Sequence, residues 1–139
     1  MILQEHIDFL KELGCDKHPH EDRTLLEHLI ATSNEMKKNG APQYIQDAGL
    51  FHSIYGTAAF YGSGQGILGF DQRDKIKFLI GEEAEELVYE FCSAEKPRSV
   101  TFMNMKEGQL KDDLIFLNNH HTNELTKNRQ MTWEEAYST

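Results

Sequence analysis

Apolar residues recur at three- and four-residue intervals through most of the chain. Leu3, Ile7, Leu10 and Leu13 open the pattern and predict one amphipathic helix over residues 1–13, stopped by Gly14. A polar stretch from Cys15 to Asp22 follows. Leu25, Leu26, Leu29, Ile30 and Met36 then predict a second helix over 23–39, with Gly40 as its stop. Pro42 suits the first turn of a third helix, in which Tyr44, Ile45, Ala48 and Phe51 form the apolar stripe and Gly56 stands where the helix would end. That stripe is interrupted by His52 and Ser53, whose polar atoms need partners or a use once they are buried.

Beyond a glycine-rich stretch, Gly56 to Gly69, the helical period returns. Asp71 can cap a helix running through Ile80. Gly81 then introduces an acidic helix with Ala84, Leu87, Val88 and Phe91 inward. Its Glu82, Glu83, Glu85, Glu86 and Glu90 read as the outer face, since a solvated acidic helix face is far commoner than a carboxylate metal site. Residues 93–109 look irregular, punctuated by Pro97 and Gly108, and a strand-like composition is hard to find outside Ser99 to Met103. Leu110 to Lys127 reads as another helix, with Leu114, Leu117, His121 and Leu125 roughly on one side. Thr132-Trp-Glu-Glu135 is a capping box that opens a short terminal helix. The expected architecture is all-α: a compact helical domain of about five or six helices spanning residues 1–139.

Composition narrows the function classes. The chain of 139 residues is 39% hydrophobic and 27% charged, ordinary for a globular domain of this length. No apolar run approaches the roughly 18 residues that a membrane span needs. Residues 1–11 carry Glu5, His6, Asp8 and Lys11, which a secretory apolar segment would not tolerate, so a cytoplasmic protein is expected. The net charge of -9 argues against a nucleic-acid surface, whereas a small phosphorylated molecule needs only a few cations and stays within reach. Cys15 and Cys92 stand alone, without the paired spacing of a disulfide framework or a cysteine zinc site. Gly64-Gln-Gly-Ile-Leu-Gly69 matches the dinucleotide fingerprint in letters only, because no strand precedes it; it reads as a loop.

The candidate chemistry lies in the histidines. His28, His52 and the pair His120-His121 fall on separate helices, with His20 just ahead of the second helix. Side chains projecting inward from facing helices are a common way to build a metal site in a helical domain. Neighbouring His120 and His121 point about 100° apart, so only one of them can face a given site.

Leu26-Glu-His28 followed by Ala48-Gly-Leu-Phe-His-Ser53, with the two histidines 24 positions apart, resembles the metal-binding core of the HD-domain superfamily. Within it the chain is similar to the hydrolase domain of the stringent-response RelA/SpoT alarmone enzymes. Leu79-Ile-Gly-Glu-Glu-Ala-Glu-Glu-Leu-Val88 resembles a later segment of that domain, and the likeness runs in order over about residues 23–123. A small HD-like family bearing Arg-Thr-Leu-Leu-x-His-Leu and Ala-Gly-Leu-Phe-His-Ser-x-Tyr-Gly-Thr is also similar, here over residues 23–29 and 48–57.

The resemblance implies metal-dependent hydrolysis of a small phosphoester or nucleotide, with His28 and His52 as metal ligands. It also exposes three departures. Ser53 stands where the superfamily has its aspartate, Tyr55 and Gly56 where the alarmone hydrolases have an acidic pair, and Asn119 where the closing metal aspartate falls. Asn119 is therefore the expected weak third ligand, and Arg23, Ser53, Tyr55 and Asn123 are the substrate-binding candidates. No catalytic residue is assigned. A shell of His28, His52, Ser53 and Asn119 carries no charge, which disfavours Mn²⁺ and Mg²⁺; imidazoles favour Zn²⁺, Fe or Ni²⁺, with His20, His120 or His121 available to complete three histidines. The alternative is a ligand-binding or regulatory module that keeps the pocket and binds no metal. In that case His28 and His52 are satisfied core histidines, and Arg23 and Tyr55 a surface cation and a core aromatic.

Overall fold

The computed structural model describes residues 1–20, 23–55, 68–127 and 132–138, with the side chain of His20 excepted. The expected loop of Gly56 to Gly69, and Gly56 as a helix stop, thus lie almost wholly outside the described residues. The described chain is all-α. Its helices are α1 (Gln4–Glu12), α2 (Leu25–Lys38), α3 (Gln43–Phe51), α4 (Arg73–Ile80), α5 (Glu82–Ser93), α6 (Arg98–Met103), α7 (Gln109–Lys127) and α8 (Trp133–Tyr137), with one 3-10 turn at Phe70–Gln72 ahead of α4. A ribbon of two-residue strands, β1 (Pro19–His20) and β2 (Arg23–Thr24), pairs antiparallel just before α2.

Local chemistry sets the boundaries. α2 begins at Leu25 rather than Arg23 because Thr24 forms a capping box: its hydroxyl accepts from the Glu27 amide at 3.1 Å while Glu27 Oε1 accepts from the Thr24 amide at 3.0 Å. Hydrogen bonds to the Glu27 carboxylate from the Thr24 amide, and secondarily from the Thr24 hydroxyl, hold that carboxyl below its ordinary range. At the other end Gly40 adopts φ +85°, the left-handed conformation that lets the chain turn from α2 into α3. The capping box expected at Thr132 and Glu135 forms at the start of α8.

α3 lies along α2 and against α5, while α7 packs across α2, α3 and α5. Leu29, Met36, Leu50, Phe51, Val88, Phe91, Leu114 and Leu117 fill the space between these four helices. The close approach of α2 and α3 depends on Gly49, where a Cβ would sit 2.5 Å from Met36 Sδ.

Two expectations are corrected. Among the described residues eight α-helices form where five or six were expected, because short helices such as α6 arise where the sequence shows only punctuation. In α6 the packing of Phe102 and Arg98 into the core outweighs the β-branched character of Val100 and Thr101. The second correction concerns Glu85, read as part of a solvated face and in fact 0% exposed. Tyr55 Oη donates to its Oε2 at 2.6 Å, and Arg73 forks onto it, Nε to Oε2 at 2.9 Å and Nη2 to Oε1 at 2.8 Å. The Arg73 guanidinium in turn lies 3.7 Å over the Tyr89 ring. α5 is therefore acidic on its outside and ionic at one inward position.

A buried ion pair that loses one partner is strongly destabilising, because the other charge stays desolvated. Urea unfolding of Arg73→Ala is expected to show a loss of about 2–4 kcal/mol, below the full buried-pair figure because the arginine reaches solvent on one side. Glu83→Ala, exposed on the same helix, should stay within about 0.5 kcal/mol. Equal small effects at both positions would contradict the assignment.

Candidate metal centre

The centre is assembled from three helices. His28 lies on the first turn and a half of α2, positioned by the Thr24 capping box. His52 is the residue that ends α3, and His121 lies on the third helix, α7. The three rings stand edge to face, with centroids 5.0 Å apart for His28–His52, 5.4 Å for His28–His121 and 4.7 Å for His52–His121. One ligand nitrogen from each lies within 4.8 Å of the other two. Phe91 on α5 closes one side, edge to face with both His52 and His121. His28 and His52 are 0% exposed and His121 7%.

Hydrogen-bond partners assign the tautomers. His52 Nδ1 donates to the Gly49 carbonyl at 2.7 Å, which leaves a lone pair on Nε2 in the neutral ring. His28 Nδ1 faces Glu124 Oε2 at 3.1 Å and donates to that carboxylate, so its Nε2 also carries a lone pair. These two Nε2 atoms face each other at 3.2 Å. Two lone pairs at that distance repel unless a proton or a metal ion lies between them. Two imidazole nitrogens at ~2.0–2.1 Å from one tetrahedral ion would be about 3.3–3.4 Å apart, close to what is seen. Donation of the second ring nitrogen to a carboxylate or a backbone carbonyl is also what metal-ligating histidines ordinarily do.

Charge is arranged around this core. The Glu124 carboxylate is paired with Arg23, whose Nη2 also lies 3.4 Å from His28 Nδ1. The His52 carbonyl accepts from the Cys92 thiol at 2.9 Å, which fixes the backbone at the end of α3. Three neutral imidazoles would leave the charge of a bound divalent ion uncompensated within its own shell; Glu124, itself paired with Arg23, places a carboxylate one hydrogen bond away through His28. Such a set suits Zn²⁺, Fe or Ni²⁺ and leaves coordination positions for water.

The sequence candidates separate into two groups. His28 and His52 come together, with Arg23 beside them through Glu124. The residue of α7 that meets them is His121 and not Asn119, because a step of two residues turns a helix by about 200°. Asn119 and Asn123 are exposed and line a groove on the outer side of α7. Ser53 is half-buried next to His52, and the hydroxyl of buried Tyr55 is taken by Glu85. His120 is half-buried with its ring 4.3 Å from that of Phe116, and the side chain of His20 is outside the described residues. Glu124 is the residue that sequence reasoning missed. Its signal was its place three residues after His121, the spacing that puts two side chains on one helix face.

The family model described as Domain of unknown function (DUF6817) matches residues 9–96. The chain belongs to this family. The DUF6817 match takes in the last turn of α1 and all of α2 to α5, and so His28, His52, Gly49, Phe91 and the Tyr55–Glu85–Arg73 cluster. It ends before α7, so that His121 and Glu124 come from outside the matched residues. No curated protein and no solved structure matches the chain.

Both cysteines of this DUF6817 chain are buried, and burial pushes the Cys15 thiol up to about 11 and that of Cys92 up to about 12. A thiol in that state is a poor nucleophile. At about pH 8 an aromatic disulfide reagent is expected to titrate no thiol in the folded protein and both after denaturation. Rapid labelling of Cys92 in the folded protein would contradict the closed packing described around His52.

Proposed function

We propose that this domain is a divergent HD-like metal-dependent hydrolase of a small phosphorylated molecule, a phosphoester or nucleotide, in the cytoplasm. The convergence of the His28, His52 and His121 ligand nitrogens carries this reading. Those three residues would hold Zn²⁺, Fe or Ni²⁺, and an ion in a neutral three-imidazole shell acidifies bound water toward neutral pH and polarises a phosphoryl oxygen. Glu124 holds His28 in the tautomer that presents Nε2, and Arg23 gives the centre a cation for an anionic substrate. Asn119, once the expected third ligand, has no part in this site. The HD likeness of residues 23–123 supports the hydrolase assignment by analogy of fold and motif order.

A second reading, a structural metal site without turnover, is favoured by one observation. His28 and His52 are completely buried, so an ion there would be enclosed as structural sites are.

Elemental analysis of protein purified without chelator separates these possibilities, followed by a panel of nucleotides and phosphomonoesters. The hydrolase reading predicts close to one Zn, Fe or Ni per chain, loss of that metal in His28→Ala and in His121→Ala, and retention in Asn119→Ala. Glu124→Gln should weaken metal affinity by about 10–100-fold, as loss of a partner to a ligating histidine does elsewhere. Phosphoester hydrolysis should disappear with the metal. Bound metal without hydrolysis would support the structural-site reading, and failure to take up any of the three metals on titration would overturn the site and leave the metal-free regulatory module.

A further inference from the structure

A second candidate site lies along a neighbouring face of α7 and owes nothing to the histidines. Asn118, Asn119 and Asn123 of α7, Ser99 of α6, and Trp133 and Tyr137 of α8 line a groove of about 360 Å³. That volume is at the small end of the range for ligand pockets. Three features define its chemistry.

First, Asn118 is 7% exposed and lines the groove, and its Oδ1 meets no donor among the described residues; the buried hydroxyl of Ser99 is in the same position. Both atoms have almost no accessible surface, and buried polar atoms are almost always satisfied, so each gains a partner when its side chain turns into the groove to meet a ligand. Second, Trp133 and Tyr137 are 62% and 55% exposed although both are large aromatics. They are four residues apart on α8, which puts both rings on one face of that helix, and both line the groove. Third, none of the described residues lining the groove is charged, in a chain of net charge -9, and the exposed neighbours of the aromatics on α8 are Glu134 and Glu135.

Each feature restricts the ligand. A carboxamide presents a donor and an acceptor side by side in one plane, which is the pattern on the edge of a nucleobase. Exposed aromatic rings offer the stacking faces on which unpaired bases are held. With no cation among the described lining residues and two carboxylates alongside, phosphate is disfavoured, and with it nucleotides and nucleic-acid strands.

We infer that the groove between α6, α7 and α8 binds a neutral nucleobase or nucleoside, with the base stacked on Trp133 and Tyr137 and its edge bonded to Asn118. This site is separate from the histidine centre and does not depend on any activity there.

Trp133 is the only tryptophan in the chain, so its fluorescence reports on the groove directly. The full-length protein is titrated with adenosine, guanosine, cytidine and uridine, with glucose and N-acetylglucosamine in parallel, and calorimetry repeats any positive titration. The expected result is saturable quenching by at least one nucleoside, weakened at least tenfold in Asn118→Leu and in Tyr137→Ala and unchanged in His121→Ala. Tyr137 is exposed, so its replacement keeps the test valid should Asn118→Leu fail to fold. No saturable change with any nucleoside, a change that both groove variants leave intact, or a response to the sugars alone would overturn the assignment.

Discussion

Two imidazole nitrogens face each other at 3.2 Å in the centre of this protein, and each ring has its other nitrogen committed elsewhere. The constraint is electrostatic. With Gly49 taking the Nδ1 proton of His52 and Glu124 that of His28, both lone pairs point into one buried volume, where water cannot screen their repulsion. A cation relieves the repulsion, and His121 brings a third nitrogen to the same volume.

The surrounding structure can be understood as what holds that arrangement in place. Gly49 has two roles: its lack of a side chain lets α3 approach Met36 on α2, and its carbonyl orients His52. Beyond His52 the turn is held twice, by the Cys92 thiol on the His52 carbonyl and by the Tyr55 hydroxyl on buried Glu85. Arg73 completes the second anchor by neutralising Glu85. On the α2 side the Thr24 capping box starts the helix in the register that points His28 inward, and Arg23 meets Glu124 of α7 immediately before it. The polar groups that hold His28 and His52 form connected pairs, as burial requires.

Much of the fold was legible because helix signals are local. The spacing of Leu25, Leu29 and Met36, the left-handed glycine at 40 and the Thr132–Glu135 box each depend on a few neighbouring residues. The proximity of His28 and His52 was legible from motif spacing. The contribution of α7 was not, because aligning a family pattern on Asn119 fixes a position in the chain, and which face of α7 turns inward is set by its packing against α2, α3 and α5. Glu85 escaped for a similar reason. In the sequence it is one of five glutamates, and only the arrival of Tyr55 and Arg73 from other elements distinguishes it. Long-range partners of this kind carry no signature in a single sequence, whereas the three-residue spacing of His121 and Glu124 did and is the clue that could have been used.

The central claim is that three imidazoles share one ion. X-ray absorption at the metal edge of zinc-loaded protein tests it most directly. The account predicts a first shell containing about three imidazole nitrogens at ~2.0–2.1 Å, completed by light oxygen scatterers and without sulfur. A shell lacking imidazole scattering, or a spectrum unchanged when His121 is replaced by alanine, would contradict it.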